Sequence, residues 1–133
     1  MAPFTGRTDY QVDDRNRVAI PPRWREHFEA PAMMTFGRAT CIKAYTQRSY
    51  DEAEKRVNSI DPDSEEGEDE RRRFYGTAYP IPKDGQGRFV IERALMDYAR
   101  LKKDVAVVGL GDHFEIWDRA ELDLYEAERK GRK

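Results

Sequence analysis

Two arginines open apolar segments at the same place in two copies of one short motif. Residues 13–20 read DDRNRVAI and residues 84–91 read DGQGRFVI, 71 residues apart. Both fit Asp-x-x-(Gly/Asn)-Arg-apolar-(Ala/Val)-Ile. Arg17 and Arg88 carry the chemistry that matters most here: a planar, permanently charged fork that matches a phosphate or the edge of a guanine. Asp13 and Asp84 can accept backbone N–H groups in the turn and can also steady that fork. Asn16 and Gly87 are residues that tolerate the left-handed backbone region. A plain solvated hairpin accounts for the Asp and Asn/Gly positions. The arginine is the member of the motif that turn chemistry does not explain.

The surroundings of the two copies are unequal. Arg7, Arg15, Arg23 and Arg25 lie within 19 residues in the first copy, whereas the second has Gln86 in place of Arg15 and Met96 in place of Arg25. If the partner is a polyanion, the first copy presents the stronger electrostatic footprint. An ordinary solvated face is the competing explanation for a run of arginines.

Other chemistry finds little support. The histidines are His27 and His113, and Cys41 is the one cysteine, so a Cys/His zinc site cannot be assembled within one chain. No P-loop, G-x-S-x-G or H-E-x-x-H occurs. Gly109-Leu110-Gly111-Asp112-His113 follows an apolar strand like part of a phosphate loop, but it leads into another strand and reads as a tight turn. The acidic run DPDSEEGEDE at 61–70 lacks the ligand spacing of a cation loop and reads as solvated. No cofactor, metal or catalytic group is expected.

The elements that must position the arginines follow from the pattern. Residues 7–12 alternate polar and half-buried positions as a strand, 13–16 are turn material, and 17–20 form a second strand, which together predict a hairpin. Pro21-Pro22 ends it and starts a short helix burying Trp24 and Phe28. Strands are expected at 33–36 and 41–45, and a charged helix at 47–57. An acidic linker at 58–68 leads into a helix at 68–74. The second copy repeats the order: strands at 78–83 and 88–91, a short helix at 93–99, strands at 104–108 and 114–117, and a helix at 119–130. An internal repeat of this length makes the chain two copies of one supersecondary unit.

At 133 residues the length suits one compact domain. Hydrophobic and charged residues each make up 38% and mean hydropathy is −0.94, so the core is thin and association is expected to complete it. The formal charge of −2 by itself argues against nucleic acid. However, setting aside residues 61–70, which hold seven acids and no base, leaves 24 basic against 19 acidic residues, a net charge of +5. No apolar run approaches 18 residues and MAPFTGRTDY has no apolar core. With the single cysteine, this predicts a protein of the reducing cytoplasm.

The motif pair, the continuation VAIPPRWR, the segment RRRFYGTAYPIPKDGQGR and the ending VVGLGDHFEIWDRAELDLY resemble the MraZ family over roughly Phe4 to Tyr125. The resemblance implies bacterial transcriptional regulators with tandem SpoVT-AbrB repeats of the swapped-hairpin type. It implies an α+β fold in which the two repeats intertwine into a small double-psi-like β-barrel with flanking helices. The repeats would span 5–57 and 77–125, joined by the acidic linker and short helix at 58–76. It further implies ring-shaped homo-oligomers, octameric or larger, that bind double-stranded DNA at short direct repeats upstream of the division and cell-wall gene cluster. Such a protein usually acts as a repressor and is cytoplasmic and nucleoid-associated. By position, Arg17 and Arg88 are carried over as DNA contacts with Asp13 and Asp84 as their partners. Arg15, Arg25 and Arg7 are the supporting cations, and Asn16 and Gly87 the turn residues. Asn16 and Glu92 depart from the glycine and proline usual at those positions. A protein-interaction module of antitoxin type is the alternative, disfavoured by the short charged tail 126–133. An enzyme using the GLGDH turn ranks below both.

Overall fold

The computed structural model describes residues 3–28, 32–82 and 87–131. Strands β1 (Arg7–Gln11) and β2 (Arg17–Ala19) lead to a 3₁₀ helix at Pro22–Phe28. Then come β3 (Met33–Phe36), β4 (Ile42–Tyr45), α1 (Gln47–Asn58) and α2 (Glu65–Tyr75). The second repeat contributes β5 (Tyr79–Pro80), β6 (Arg88–Val90), α3 (Arg93–Tyr98), β7 (Asp104–Gly109), β8 (His113–Asp118) and α4 (Arg119–Lys130).

The strand pairing differs from the expected local hairpin. β1 pairs antiparallel with β7 from the other repeat, and β2 pairs antiparallel with β6. The turn between β1 and β2 still closes, through Asn16 N–H to Asp13 O and Asp13 N–H to Arg17 O. The two strands then diverge to partners some 70 to 100 residues away. Periodicity locates strands but carries no information about which strand lies alongside.

The resulting order is β1-β7-β8-β4-β3-β5 for the six-stranded sheet and β2-β6 for the second. Exchange β1 with β5, β3 with β7 and β4 with β8, and the first order reads the same backwards. Pseudo-twofold symmetry therefore relates the repeats. Its axis passes the Lys43–Glu115 pair in the β4–β8 ladder and the Val18–Phe89 pair in the β2–β6 ladder. The fold is mixed α+β, with helices added to an antiparallel sheet.

The main core lies between the two sheets and the short helices. Phe4, Trp24, Phe28 and Phe114 form an aromatic cluster with ring centroids 5.1–5.9 Å apart, each pair adding about 0.5–1.5 kcal/mol beyond area burial. Val18, Ile20, Phe89, Ile91 and Leu95 are buried with them. This fixes β2 and β6 by their inward residues and leaves their other face outward.

Much of the acidic segment is helical. α2 begins at Glu65, not Glu68, because the Ser64 hydroxyl accepts the Gly67 N–H at 2.9 Å. Glu65, Glu66 and Glu68 occupy the first turn, where the helix dipole favours acids. α2 lies against α1 through Phe74, stacked on Tyr50 at 4.8 Å, with Tyr45, Ala53 and Val57.

Candidate nucleic-acid interface

The β2–β6 ribbon brings the two motifs together. Arg17 lies opposite Val90 and Ala19 opposite Arg88. Directly opposed residues of an antiparallel pair share a face, so Arg17, Ala19, Arg88 and Val90 form one side. Val18 and Phe89, each 1% exposed, form the other. The two motif arginines therefore stand on a single outward surface, diagonal to one another across the axis.

Each motif turn also supports the other motif's strand. Ile20 N–H donates to Gly87 O and Ile91 N–H donates to Asn16 O, both at 2.9 Å. Asn16 (φ 59°) and Gly87 (φ 74°) both take the left-handed conformation expected of the turn, which turns those carbonyls towards the partner strand. Asn16 and Gly87 thus form a crossed pair of clasps around the ribbon.

Asp13 organises the first turn. Its Oδ1 accepts the backbone N–H groups of Arg15 and Arg17, both at 2.9 Å, and its Oδ2 accepts Arg17 Nε at 2.7 Å. The Asp is therefore turn maker and holder of the fork at once. These contacts, led by the Arg17 backbone N–H, hold the Asp13 carboxyl below its ordinary value of 3.8. A carboxyl with a depressed folded-state pKa stabilises the fold above that ordinary value and loses the contribution as pH falls through the depressed one. Between pH 5 and 2 the wild type is expected to lose more stability than an Asp13→Asn variant, as read by thermal melts across that range. Parallel curves would remove Asp13 from this role. Asp84, its counterpart, lies outside the described residues.

Arg25 lies in an unexpected place. Its Nε donates to Ile20 O at 3.0 Å, and its side chain runs over Gly87, where a Cβ would come within 2.3 Å of Arg25 Nε. A first-repeat arginine therefore flanks the second motif's turn. Arg15 is exposed on the first turn. Arg7 stands apart from this set: it is tied to Asp9 at 2.9 Å and to Asp123 and Glu126 of α4 at 3.4 and 3.7 Å. Arg23 donates to Thr5 O and Thr8 Oγ1 and lies 4.9 Å over Trp24, a packing role that no sequence pattern signals.

Elsewhere, the Cys41 thiol is fully buried, donates to Arg38 O, and is pushed well above the ordinary thiol range by desolvation. His113 Nδ1 lies 2.7 Å from Asp112 and its ring stacks on Tyr45; no nucleophile faces it among these contacts. Among the described residues there is no cluster of three or more metal-ligating side chains, and no helix is long and apolar enough to cross a membrane.

Comparison with known proteins agrees with this symmetric reading of the chain. The family model described as "MraZ protein, putative antitoxin-like" matches twice, over residues 3–72 and 74–132. The transcriptional regulator MraZ of Clavibacter michiganensis subsp. michiganensis is 34% identical over 122 residues, covering 92% of this chain and 85% of that protein. The MraZ regulators of Nitratidesulfovibrio vulgaris (strain Miyazaki F) and Nitrosomonas europaea are each 32% identical, over 90% and 91% of this chain and 83% and 84% of their own lengths. With both repeats matched and the relatives aligned almost end to end, this chain belongs to the MraZ family.

Proposed function

We propose that this protein is a transcriptional regulator that binds double-stranded DNA in a sequence-specific manner through the outward face of the β2–β6 ribbon. The observation that carries the reading is the diagonal placement of Arg17 and Arg88 on one face across a pseudo-twofold axis. A two-stranded ribbon fits the major groove, where arginine forks read guanine edges. Arg15 and Arg25 flank it as phosphate contacts, with Asp13 and Asp84 as the partners of the reading arginines. The relatives' name supports regulation of transcription.

In the finer reading, the two sheets are halves of a small double-psi-like barrel, and the subunits assemble into a ring of eight or more. The ring represses by engaging short direct repeats upstream of the division and cell-wall gene cluster, in the cytoplasm at the nucleoid. A ring multiplies modest single-ribbon contacts by avidity, so each can be weak. Light scattering gives the mass. Fluorescence anisotropy with DNA from upstream of the protein's own gene, across a salt series, gives the affinity. Binding that weakens steeply with salt is expected; absence of binding, or affinity indifferent to salt, refutes the reading. The family description also contains "antitoxin-like". Copurification of a small partner protein that competes with DNA would favour that second reading.

A further inference from the structure

α2 breaks the twofold symmetry. Among the described residues one helix, α4, follows β8, whereas after β4 and α1 a second helix, α2, folds back on α1. Between α1, α2 and the strands β3 and β4 lies a cavity of about 220 Å³. Its apolar wall includes Phe36, Phe74 and the ring of Tyr45. Three cations from three elements reach it: Lys43 of β4, Arg56 of α1 and Arg73 of α2.

Arg56 and Arg73 make no ion pair among the described residues, and Lys43 lies opposite Glu115 in the β4–β8 ladder without a salt bridge to it. Arg72 of α2 pairs with Glu68 and Asp69, and Arg71 donates to Asn58 Oδ1 at 2.9 Å. The charges of Arg56 and Arg73 are both felt at Tyr45, where they oppose the rise that burial imposes on its hydroxyl. Glu70 is the one acid of the lining, which leaves the cavity with a net charge of about +2 and provides an acceptor for a ligand hydroxyl. Gathering three cations, two of them arginines without an ion pair among the described residues, around a concave apolar wall costs self-repulsion, which an oxyanion relieves. Two arginines and a lysine favour a phosphate over a carboxylate, because three charge-assisted contacts can be shared among its oxygens. The volume is below the roughly 300 Å³ of drug-sized sites and suits a small phosphomonoester with a compact apolar or hydroxylated body.

We propose that this cavity is a binding site for a small phosphorylated ligand. It lies between the first repeat and helix α2 of the linking segment and is independent of the motif arginines, so it can be tested without DNA.

The test uses the full-length, DNA-free protein. Phenyl phosphate is titrated by calorimetry and by amide chemical shifts, with inorganic phosphate and phenol as separate arms. Saturable binding of phenyl phosphate is expected, weaker binding of inorganic phosphate, and none of phenol. The shifts should centre on Thr35, Phe36 and Phe74. Arg73→Gln and Lys43→Met should each weaken phenyl phosphate about tenfold, whereas Arg48→Gln, an exposed cation elsewhere on α1, should leave it unchanged. Binding that Arg48→Gln weakens equally, or shifts spread over all basic surfaces, overturns the proposal. So does an absence of phosphate binding accompanied by a change in mass in the Arg73 and Lys43 variants, which assigns these cations to contacts between subunits. Shift mapping on the wild type decides the matter even if a variant fails to fold.

Discussion

Arg17→Ala is expected to weaken binding to the upstream DNA by about ten- to a hundredfold, and Arg88→Ala by a similar factor, with both variants folded. The charge census of the sequence suggests a larger loss for Arg17, because Arg15 and Arg25 belong to the first copy. The structure evens the two out. Arg25 reaches across to the second motif's turn, so the second copy borrows the cation that Met96 does not supply. The pair of Arg17 with Asp13 should itself contribute little to folding. It is partly exposed, with side chains 22% and 31% accessible, and such pairs contribute roughly 0–1 kcal/mol. Arg17→Lys is the diagnostic variant. It keeps the charge and loses the fork, so it should retain much of the non-specific affinity while the preference for the upstream site over scrambled DNA collapses. Fluorescence anisotropy at moderate salt, with a melting temperature for each variant, makes the measurement. Unchanged affinity in both alanine variants would remove Arg17 and Arg88 from the interface.

These expectations rest on features of unequal visibility in the sequence. Asp13, Asn16 and Gly87 were readable because turn chemistry is local: an acceptor two to four residues from the N–H groups it meets, and residues that accept a positive φ. Most strands and helices are readable to within a residue or two from alternation and caps, α4 from Arg119 to Lys130 among them, but the strand expected over 78–83 pairs only at Tyr79–Pro80 and α2 starts three residues early. The pairing is not readable in this way. β1 and β2 look like a hairpin because their turn closes like one, and only the burial of Val18 against Phe89 and Tyr10 opposite Val105 sends the strands apart. Repetition of the motif hinted at symmetry, but the axis depends on long-range register, which no local pattern encodes. The acidic run reads as linker because its composition suits solvent. Ser64 as a cap and Phe74 as an anchor on α1 were the signals that outweighed it. The cavity behind α2 had no sequence signature at all, since Lys43, Arg56 and Arg73 converge only once α2 has folded back.

Equivalent positions in the two turns should answer substitution differently, and the contrast tests the clasp directly. Asn16→Gly should change stability by no more than about 0.5 kcal/mol, since glycine removes left-handed strain and adds chain entropy in comparable amounts. Gly87→Ala should cost about 2–3 kcal/mol. Left-handed backbone costs a Cβ-bearing residue about 1–2 kcal/mol. The new Cβ would also lie 2.3 Å from Arg25 Nε and 2.7 Å from its Cδ, so Arg25 must leave and its bond to Ile20 O is lost, for about 1 kcal/mol more. Gly87→Asn separates the two causes. Asparagine accepts the conformation, as Asn16 does at φ 59° in the equivalent turn, but it still evicts Arg25. Its cost should therefore be smaller than alanine's in the wild type and should fall further in an Arg25→Ala background, where the arginine no longer lies over residue 87. Chemical denaturation of the four proteins in that cycle gives the coupling energy. A Gly87→Asn cost that persists without Arg25 would mean that the backbone conformation alone demands glycine there. A cost of zero in both backgrounds would mean that Arg25 does not rest on the second motif, and the borrowed charge that makes the two halves of the ribbon equivalent would be lost with it.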